Sequence, residues 1–445
     1  MKRKILRDLR DWKARPGHKP LILLGARQVG KTWAMQEFGR TSYADALYIN
    51  FDNNPEMEDL FSRDLQIPRI LAGLEVYGGR KIRPGETLLI FDEIQEIPRA
   101  LGSLKYFNEN AGEYDIVAAG SLMGIALHHG ASFPVGKVEF LRLYPLSFAE
   151  FVTAAGDEGI LEPLEKNDFA LARVFGGRYT DLLKSYYLVG GMPEAVKTFA
   201  EEKDYGAVCP VQERILAAYE QDYSKHAPAS QAPKIRKLWN SLPAQLSREN
   251  KKFMYGIVKQ GGRAAEYELA LLWLADCGLA HQIHRVSAPR LPLKAYQDMQ
   301  AFKLFCVDVG LLSRMAGLRP HIMLEGARLF KEFKGALTEQ FVVQELISRG
   351  DMDVFYWSSD KGIAEIDFIL SGKYASLPGW YIPVEVKAEI NLQAKSLKSF
   401  RRKFSPELSL RLSLSDYHES GGLIDLPLYA IGFWNGNKQE IPPAD

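Results

Sequence analysis

The sequence predicts an α/β chain: a doubly wound parallel sheet first, a helix-rich middle, and a second α/β domain last. Three observations carry this. Leu21–Leu24 is a short apolar run leading into Gly25-Ala26-Arg27-Gln28-Val29-Gly30-Lys31-Thr32. Four further apolar runs, Tyr48–Asp52, Thr87–Asp92, Ile116–Gly120 and Val138–Leu143, alternate with helical stretches, as βαβ units do. Near the far end, Glu365–Leu370 and Pro383–Lys387 are strand-like runs bearing charges at alternate positions.

At 445 residues the chain has room for about three domains at roughly 150 residues each. Its 47% hydrophobic and 25% charged content is that of a globular protein. A net charge of +1 excludes global attraction to polyanions, so any nucleic-acid surface must be a local patch. Cys209, Cys277 and Cys306 lie far apart, which argues against a disulfide framework or a zinc site and fits a reducing, cytoplasmic location. The first 18 residues carry charges throughout, unlike a secretory leader. No apolar run approaches roughly 18 residues, so no membrane span is expected.

The first element is the most informative. Residues 25–32 fit GxxxxGK[ST] between a strand and a helix. The glycines let backbone N–H groups wrap phosphates, Lys31 reaches the β- and γ-oxygens, and Thr32 offers a hydroxyl to Mg²⁺. The following helix points its positive N-terminus at the same anions. The Thr87–Asp92 strand ends in Asp92-Glu93. Asp92 is placed to hold Mg²⁺ through water, and Glu93 to polarise the attacking water. Ser121 follows the third strand; it is either a γ-phosphate contact or a turn serine. ATP and Mg²⁺ are therefore the expected ligands.

The stretches GARQVGKT, LLIFDEIQ, AAGS and LYPLSFAEF, continued by YLVGGMPEAV, YEQDYSKHA, DVGLLS, GALTEQFVVQEL and EIDFIL…PVEVKA, resemble the P-loop AAA-type ATPases that carry a C-terminal DUF4143 region. The resemblance spans nearly the whole chain. It implies ATP binding and hydrolysis. One departure is Gly136-Lys137, where the family usually shows Gly-Arg before the PLSF stretch. Arg forks onto phosphate and Lys is a point charge, so nucleotide sensing there is either weakened or passed to Arg142. Arg27 is expected to be a local phosphate or structural contact.

Residues 1–150 are expected to be the ATPase domain and 151–230 a helical connector, broken at Gly190-Gly191-Met192-Pro193. The helix from Val211 is expected to end at Tyr219, before Glu220–Lys225. Residues 231–320 resemble a winged helix-turn-helix, the wing being the loop at 288–300. Lys234, Arg236, Lys237, Lys251, Lys252, Lys259 and Arg263 would either contact DNA phosphates or form a solvated face. His281 and His284 are a chance pair.

Residues 321–445 resemble the PD-(D/E)xK nuclease fold. Glu339 lies on an amphipathic helix, Asp367 shares a strand face with Glu365, and Glu385 shares one with Lys387. Asp367 and Glu385 are 385 − 367 = 18 residues apart, room for adjacent strands. The three carboxylates Glu339, Asp367 and Glu385 are candidate ligands for Mg²⁺, and Lys387 a candidate for stabilising charge on a scissile phosphate. A helix over 391–404 bears Lys395, Lys398, Arg401, Arg402 and Lys403, suited to a phosphate backbone or to solvent. Two functions stand: an Mg-ATPase controlling a DNA-binding or nuclease-like half, and an ATP switch with a non-catalytic module for a protein partner.

Overall fold

Which apolar runs are buried on both faces decides the strand order. The computed structural model describes residues 2–120, 133–248, 251–318, 328–359, 364–372, 381–389 and 394–434, with the side chains of 328–332 left aside. Ser121 lies outside the described residues. Two units emerge, Met1–Tyr144 with Leu272–Leu279, and Pro145–Leu271 with Ala280–Asp445.

In the first unit β1 (Leu21–Leu24), β2 (Asp45–Asn50), β3 (Thr87–Asp92), β4 (Ile116–Ala119) and β5 (Glu139–Arg142) form a parallel sheet in the order β2-β3-β4-β1-β5. Every residue of β3 and β4 is buried, as central parallel strands require. Leu89 and Phe91 enter a core with Met57, Phe61, Leu104 and Phe107 from helices Pro55–Arg63 and Pro98–Asn110. Leu88 and Ile90 point the other way, beneath helix Lys31–Ser42. There a β-carbon on Gly39 would meet Ala46 Cβ at 2.7 Å and Ile90 Cδ1 at 3.4 Å. Helices thus cover both faces, and the sheet is doubly wound.

One polar cluster closes the chain around this sheet. His18 Nε2 lies 2.8 Å from Asp115 Oδ1, and Tyr43 donates to Asp115 Oδ2 at 2.8 Å. The hydrogen bond to Asp115 raises the His18 pKa above 6.5, against partial burial. Stability from this pair is therefore complete below about pH 6.5 and fades as pH climbs through the raised folded value. The unfolding free energy lost in His18→Gln, followed by urea denaturation, should shrink as pH rises above about 6.5; an unchanged difference would leave the pair without a role.

The second unit begins with helices. Ser147 and Glu150 make a capping box that starts helix Phe148–Ala154. Gly190 (φ +73°) ends helix Gly176–Val189, and Pro193 starts helix Pro193–Glu202. Helix Tyr205–His226 runs unbroken through Glu220–Lys225, where the sequence suggested an end at Tyr219. Buried Tyr219, Asp222 and Tyr223 continue the apolar stripe, so packing holds the last two turns.

Helices Ala232–Leu246, Tyr255–Val258 and Ala264–Asp276 precede an antiparallel hairpin of β6 (Ala280–Val286) and β7 (Gln297–Cys306). The hairpin joins β8 (Met352–Ser358), β9 (Glu365–Gly372), β10 (Tyr381–Val386), β11 (Ser409–Ser413), β12 (His418–Ser420) and β13 (Leu423–Pro427) in one sheet, ordered β12-β13-β11-β10-β9-β8-β6-β7. The joint is parallel, Arg285 opposite Tyr356 and Val286 opposite Trp357.

The glycines of VGGMP and DVGLL permit a close backbone approach in this unit. A β-carbon on Gly310 would lie 2.5 Å from Gly190 N, and one on Gly190 would lie 2.1 Å from Asp308 Oδ1. Gly310→Ala should therefore cost about 1–3 kcal/mol of unfolding free energy. Gly335→Ala, on an open helix face with nothing within 4 Å, should be neutral or mildly stabilising. Equal denaturation midpoints for the two variants would contradict the packing argument.

Candidate functional sites

The first site is built at the carboxyl ends of β1 and β3. Gly25 leaves β1 with φ +152°, and a β-carbon there would sit 2.3 Å from Leu143 O; only glycine fits. Gln28 (φ +65°) and Gly30 (φ +93°) turn the loop into helix Lys31–Ser42. Ala26 and Val29 are buried and anchor the loop, while Arg27 and Gln28 are exposed. Buried Arg3 donates to Val29 O at 3.3 Å and to Tyr144 O at 2.7 Å, bracing the loop from the N-terminus. Nothing in the sequence signalled that role.

Lys31 is buried, and its Nζ donates to Gly25 O and Ala26 O, both at 2.9 Å. A phosphate in the loop would compete with those carbonyls for the ammonium. Thr32 Oγ1 donates to Asp92 Oδ2 at 2.6 Å, and Tyr48 OH to the same oxygen at 3.0 Å. Burial, with Asp92 beside it, pushes the Tyr48 phenol up, so it stays a donor. Tyr48 escaped sequence reasoning. Its signal was strand register: Tyr48 pairs with Ile90 and Asn50 with Asp92, on one face. Hydroxyl and carboxylate in contact are the hard oxygen donors that suit Mg²⁺, so these residues fit the ion.

Glu93 follows Asp92 in the left-handed region, φ +52°, a conformation that costs a non-glycine residue about 1–2 kcal/mol. Its N–H donates to Asp92 Oδ1 at 3.2 Å and its Oε2 accepts from Gln95 Nε2 at 2.6 Å. β4 ends between β1 and β3. Lys137 is paired with Glu109 at 2.9 Å, and Arg142 is exposed.

The second site lies in the second unit, where the structure brings Glu339, Asp367, Glu385 and Lys387 into one cluster. Two lysines that the sequence did not place at this cluster join them. Lys251, expected on a solvated or phosphate-facing surface, is buried and paired with Glu339. Lys303, on β7 and fully buried, stands 2.6 Å from Glu365 Oε1 and 3.6 Å from Glu339 Oε2. Lys387 holds Glu385 Oε1 at 2.7 Å, and Asp367 Oδ2 accepts from Val386 N at 2.8 Å.

Four carboxylates thus share three ammoniums, and protonation follows. Burial, with Glu339 and Glu385 nearby, pushes Asp367 well above the usual carboxylate range. Burial raises Glu385 against the pull of Lys387. Burial opposes ionisation of Glu339 too, but Lys251 and Lys303 hold it low. A proton on Asp367 would leave three charges of each sign. Glu385 Oε2 takes no hydrogen bond among the described residues.

Tested against a divalent cation, this cluster does not fit. Ammoniums stand on the oxygens that would ligate it, and among the described residues no three His, Cys, Asp or Glu side chains group as ligands. His284, on β6, is half-buried beside the Phe302 ring. On helix Lys395–Phe404, Lys395, Lys398, Arg402 and Lys403 are exposed, while Arg401 donates to Gly421 O.

Family models match three stretches of the chain: an AAA domain over 17–152, a domain of unknown function, DUF8612, over 180–321, and another, DUF4143, over 334–430. No curated protein matches. Similar solved structures include the Walker-type ATPase of Pyrococcus abyssi (13% identity, TM-score 0.43, covering 71% of this chain and 95% of that one). The Aeropyrum pernix ORC1 protein in complex with DNA is another (11%, TM-score 0.29, 70% and 91%). Cdc6p from Pyrobaculum aerophilum is a third (13%, TM-score 0.26, 73% and 94%). The fold above rests on strand order and register, not on these distant likenesses.

Proposed function

We propose that this chain, a P-loop AAA-type ATPase with a C-terminal DUF4143 region, hydrolyses Mg-ATP and that its nucleotide state governs what the C-terminal half binds. The observation that supports it most is the contact of Thr32 Oγ1 with Asp92 Oδ2, beside a strained Glu93. The loop N–H groups and Lys31 bind the phosphates. Thr32 and Asp92 would hold Mg²⁺, which would supply positive charge against the negative charge of the phosphates. Glu93 orients and deprotonates the attacking water; its left-handed backbone aims the carboxylate at one place, and Gln95 steadies it. Tyr48 and the Glu93 N–H fix the Asp92 carboxylate. Ser121, two residues beyond Ala119 in the sequence, is proposed to contact the γ-phosphate.

Lys31→Ala should abolish ATP binding in a fluorescent-nucleotide titration. Glu93→Gln should bind ATP with wild-type affinity and release phosphate about 10²–10⁴-fold more slowly. Wild-type turnover in Glu93→Gln would remove Glu93 from the mechanism.

For the C-terminal half we favour a binding module over a nuclease, on one observation: lysines stand on its carboxylates. The order of three helices and a hairpin over 232–306 supports a winged-helix element within it, and exposed basic side chains of helix Lys395–Phe404 suit a DNA partner. Phosphate release with and without single- and double-stranded DNA, with DNA cleavage scored in the same tubes, separates the readings. DNA-stimulated ATPase without cutting fits a binding module for DNA. ATPase indifferent to DNA points to a protein partner. Cutting that disappears in Asp367→Ala would restore the nuclease.

A further inference from the structure

We infer that Lys303 and Lys251 are built-in counterions that take the role a divalent cation would otherwise play among the carboxylates of the C-terminal cluster, so that this domain holds them in a metal-independent, lysine-locked form. The inference rests on the reading of the C-terminal half as non-catalytic.

Both lysines arrive from outside the carboxylate-bearing strands. Lys303 comes from β7, beyond β8 and β6 in the sheet. Its ammonium is fully buried, within 2.6 Å of Glu365 and 3.6 Å of Glu339, and it lies 5.0 Å from the centre of the Tyr356 ring. Lys251 precedes Phe253, whose N–H donates to Phe302 O at 2.7 Å beside Lys303. That backbone bond sets both ammoniums at Glu339. A third, Lys387, closes Glu385.

A lone buried ammonium is strongly unfavourable. A buried ammonium among carboxylates is retained because removing it leaves the carboxylates unpaired. A divalent cation and Lys303 make the same demand on Glu339 and would repel each other at this range. The two are therefore exclusive. Deleting the lysine should let a divalent cation bind where the wild type takes none, with Glu339 and Glu365, the two carboxylates that Lys303 bridges, as donors.

The test uses the full chain without nucleotide, in an Asp92→Asn background that silences the P-loop oxygens. Mn²⁺ is the probe, read by electron paramagnetic resonance and by thermal unfolding. Lys303→Met should bind Mn²⁺ at least about tenfold more tightly than the parent, since the like charge is gone. Its melting temperature should be lower than the parent's and rise with Mn²⁺, while the parent's stays level. Glu365→Gln added to Lys303→Met should remove the gain. If Lys303→Met folds only with Mn²⁺ present and unfolds on chelation, that supports the same conclusion. Lys251→Met, at the margin of the cluster, gives a second reading and should show a smaller gain.

No gain in Mn²⁺ binding over the parent in either lysine variant, with the parent not binding, would overturn the lysine lock while leaving the non-catalytic reading intact. Tight Mn²⁺ binding by the parent that is lost in Asp367→Asn would overturn both.

Discussion

The second unit depends on one row of buried polar side chains on helix Arg328–Arg349. Gln340 accepts from Cys306 N at 2.9 Å and donates to Cys306 O at 2.7 Å. Gln344 accepts from Val309 N at 2.9 Å and donates to Tyr186 OH at 2.8 Å. Glu345 accepts from Phe148 N at 2.7 Å, and Glu339 receives Lys251 and Lys303. An unpaired buried backbone group costs about 1–3 kcal/mol; the carboxyl end of β7 would leave two at Cys306, and the start of helix Phe148–Ala154 one. Glutamine stands where a donor and an acceptor must both be answered, the N–H and C=O of Cys306 at Gln340 and the Val309 N–H and Tyr186 hydroxyl at Gln344, because its amide is donor and acceptor at once. Carboxylates stand where only donors arrive.

Asp308 follows the same rule. It is fully buried and accepts from Gly191 N at 2.6 Å and Leu311 N at 3.0 Å, with Gln344 a third donor at 3.3 Å. Burial raises its pKa against those bonds. It caps helix Val309–Met315 and ties the Gly190-Gly191 turn to it. Polar stretches that stand out in the sequence, DVGLL and LTEQFVVQEL, therefore answer a packing problem rather than a chemical one.

This explains what was legible beforehand. The phosphate loop, the Asp92-Glu93 pair and the sheet of the first unit could be read because each is local: a strand, a tight turn and a helix within a dozen residues. The carboxylates of the C-terminal cluster were legible for the same reason, since alternation along β9 and β10 puts Glu365 with Asp367 and Glu385 with Lys387. Lys303 and Lys251 were not. Each lies at least 36 residues from Glu339 in the chain, counted as 339 − 303, and nothing local distinguishes a lysine that turns inward from one that faces solvent. Arg3 and Tyr48 were missed likewise, because only strand register and chain return bring them to the loop. The end of helix Tyr205–His226 was misplaced because Glu, Gln, Asp and Ser read as surface, although Asp222 and Tyr223 are buried.

The two clusters contain nearly the same residue types, and their electrostatics separate them. Asp92 receives its hydrogen bonds from a threonine hydroxyl, a tyrosine hydroxyl and a backbone N–H. All are neutral, so its charge is oriented but not cancelled, and a hydrated cation is the natural complement. Glu339 and Glu385 receive ammoniums, and Asp367 is pushed toward its protonated form, so the C-terminal cluster balances its own charge. A carboxylate pattern in sequence reports neither condition. The property that distinguishes a cation site from a scaffold is the charge of the donors around it, and those donors come from other strands. In this chain that difference is why the proposed metal is placed at the phosphate loop and not in the C-terminal cluster.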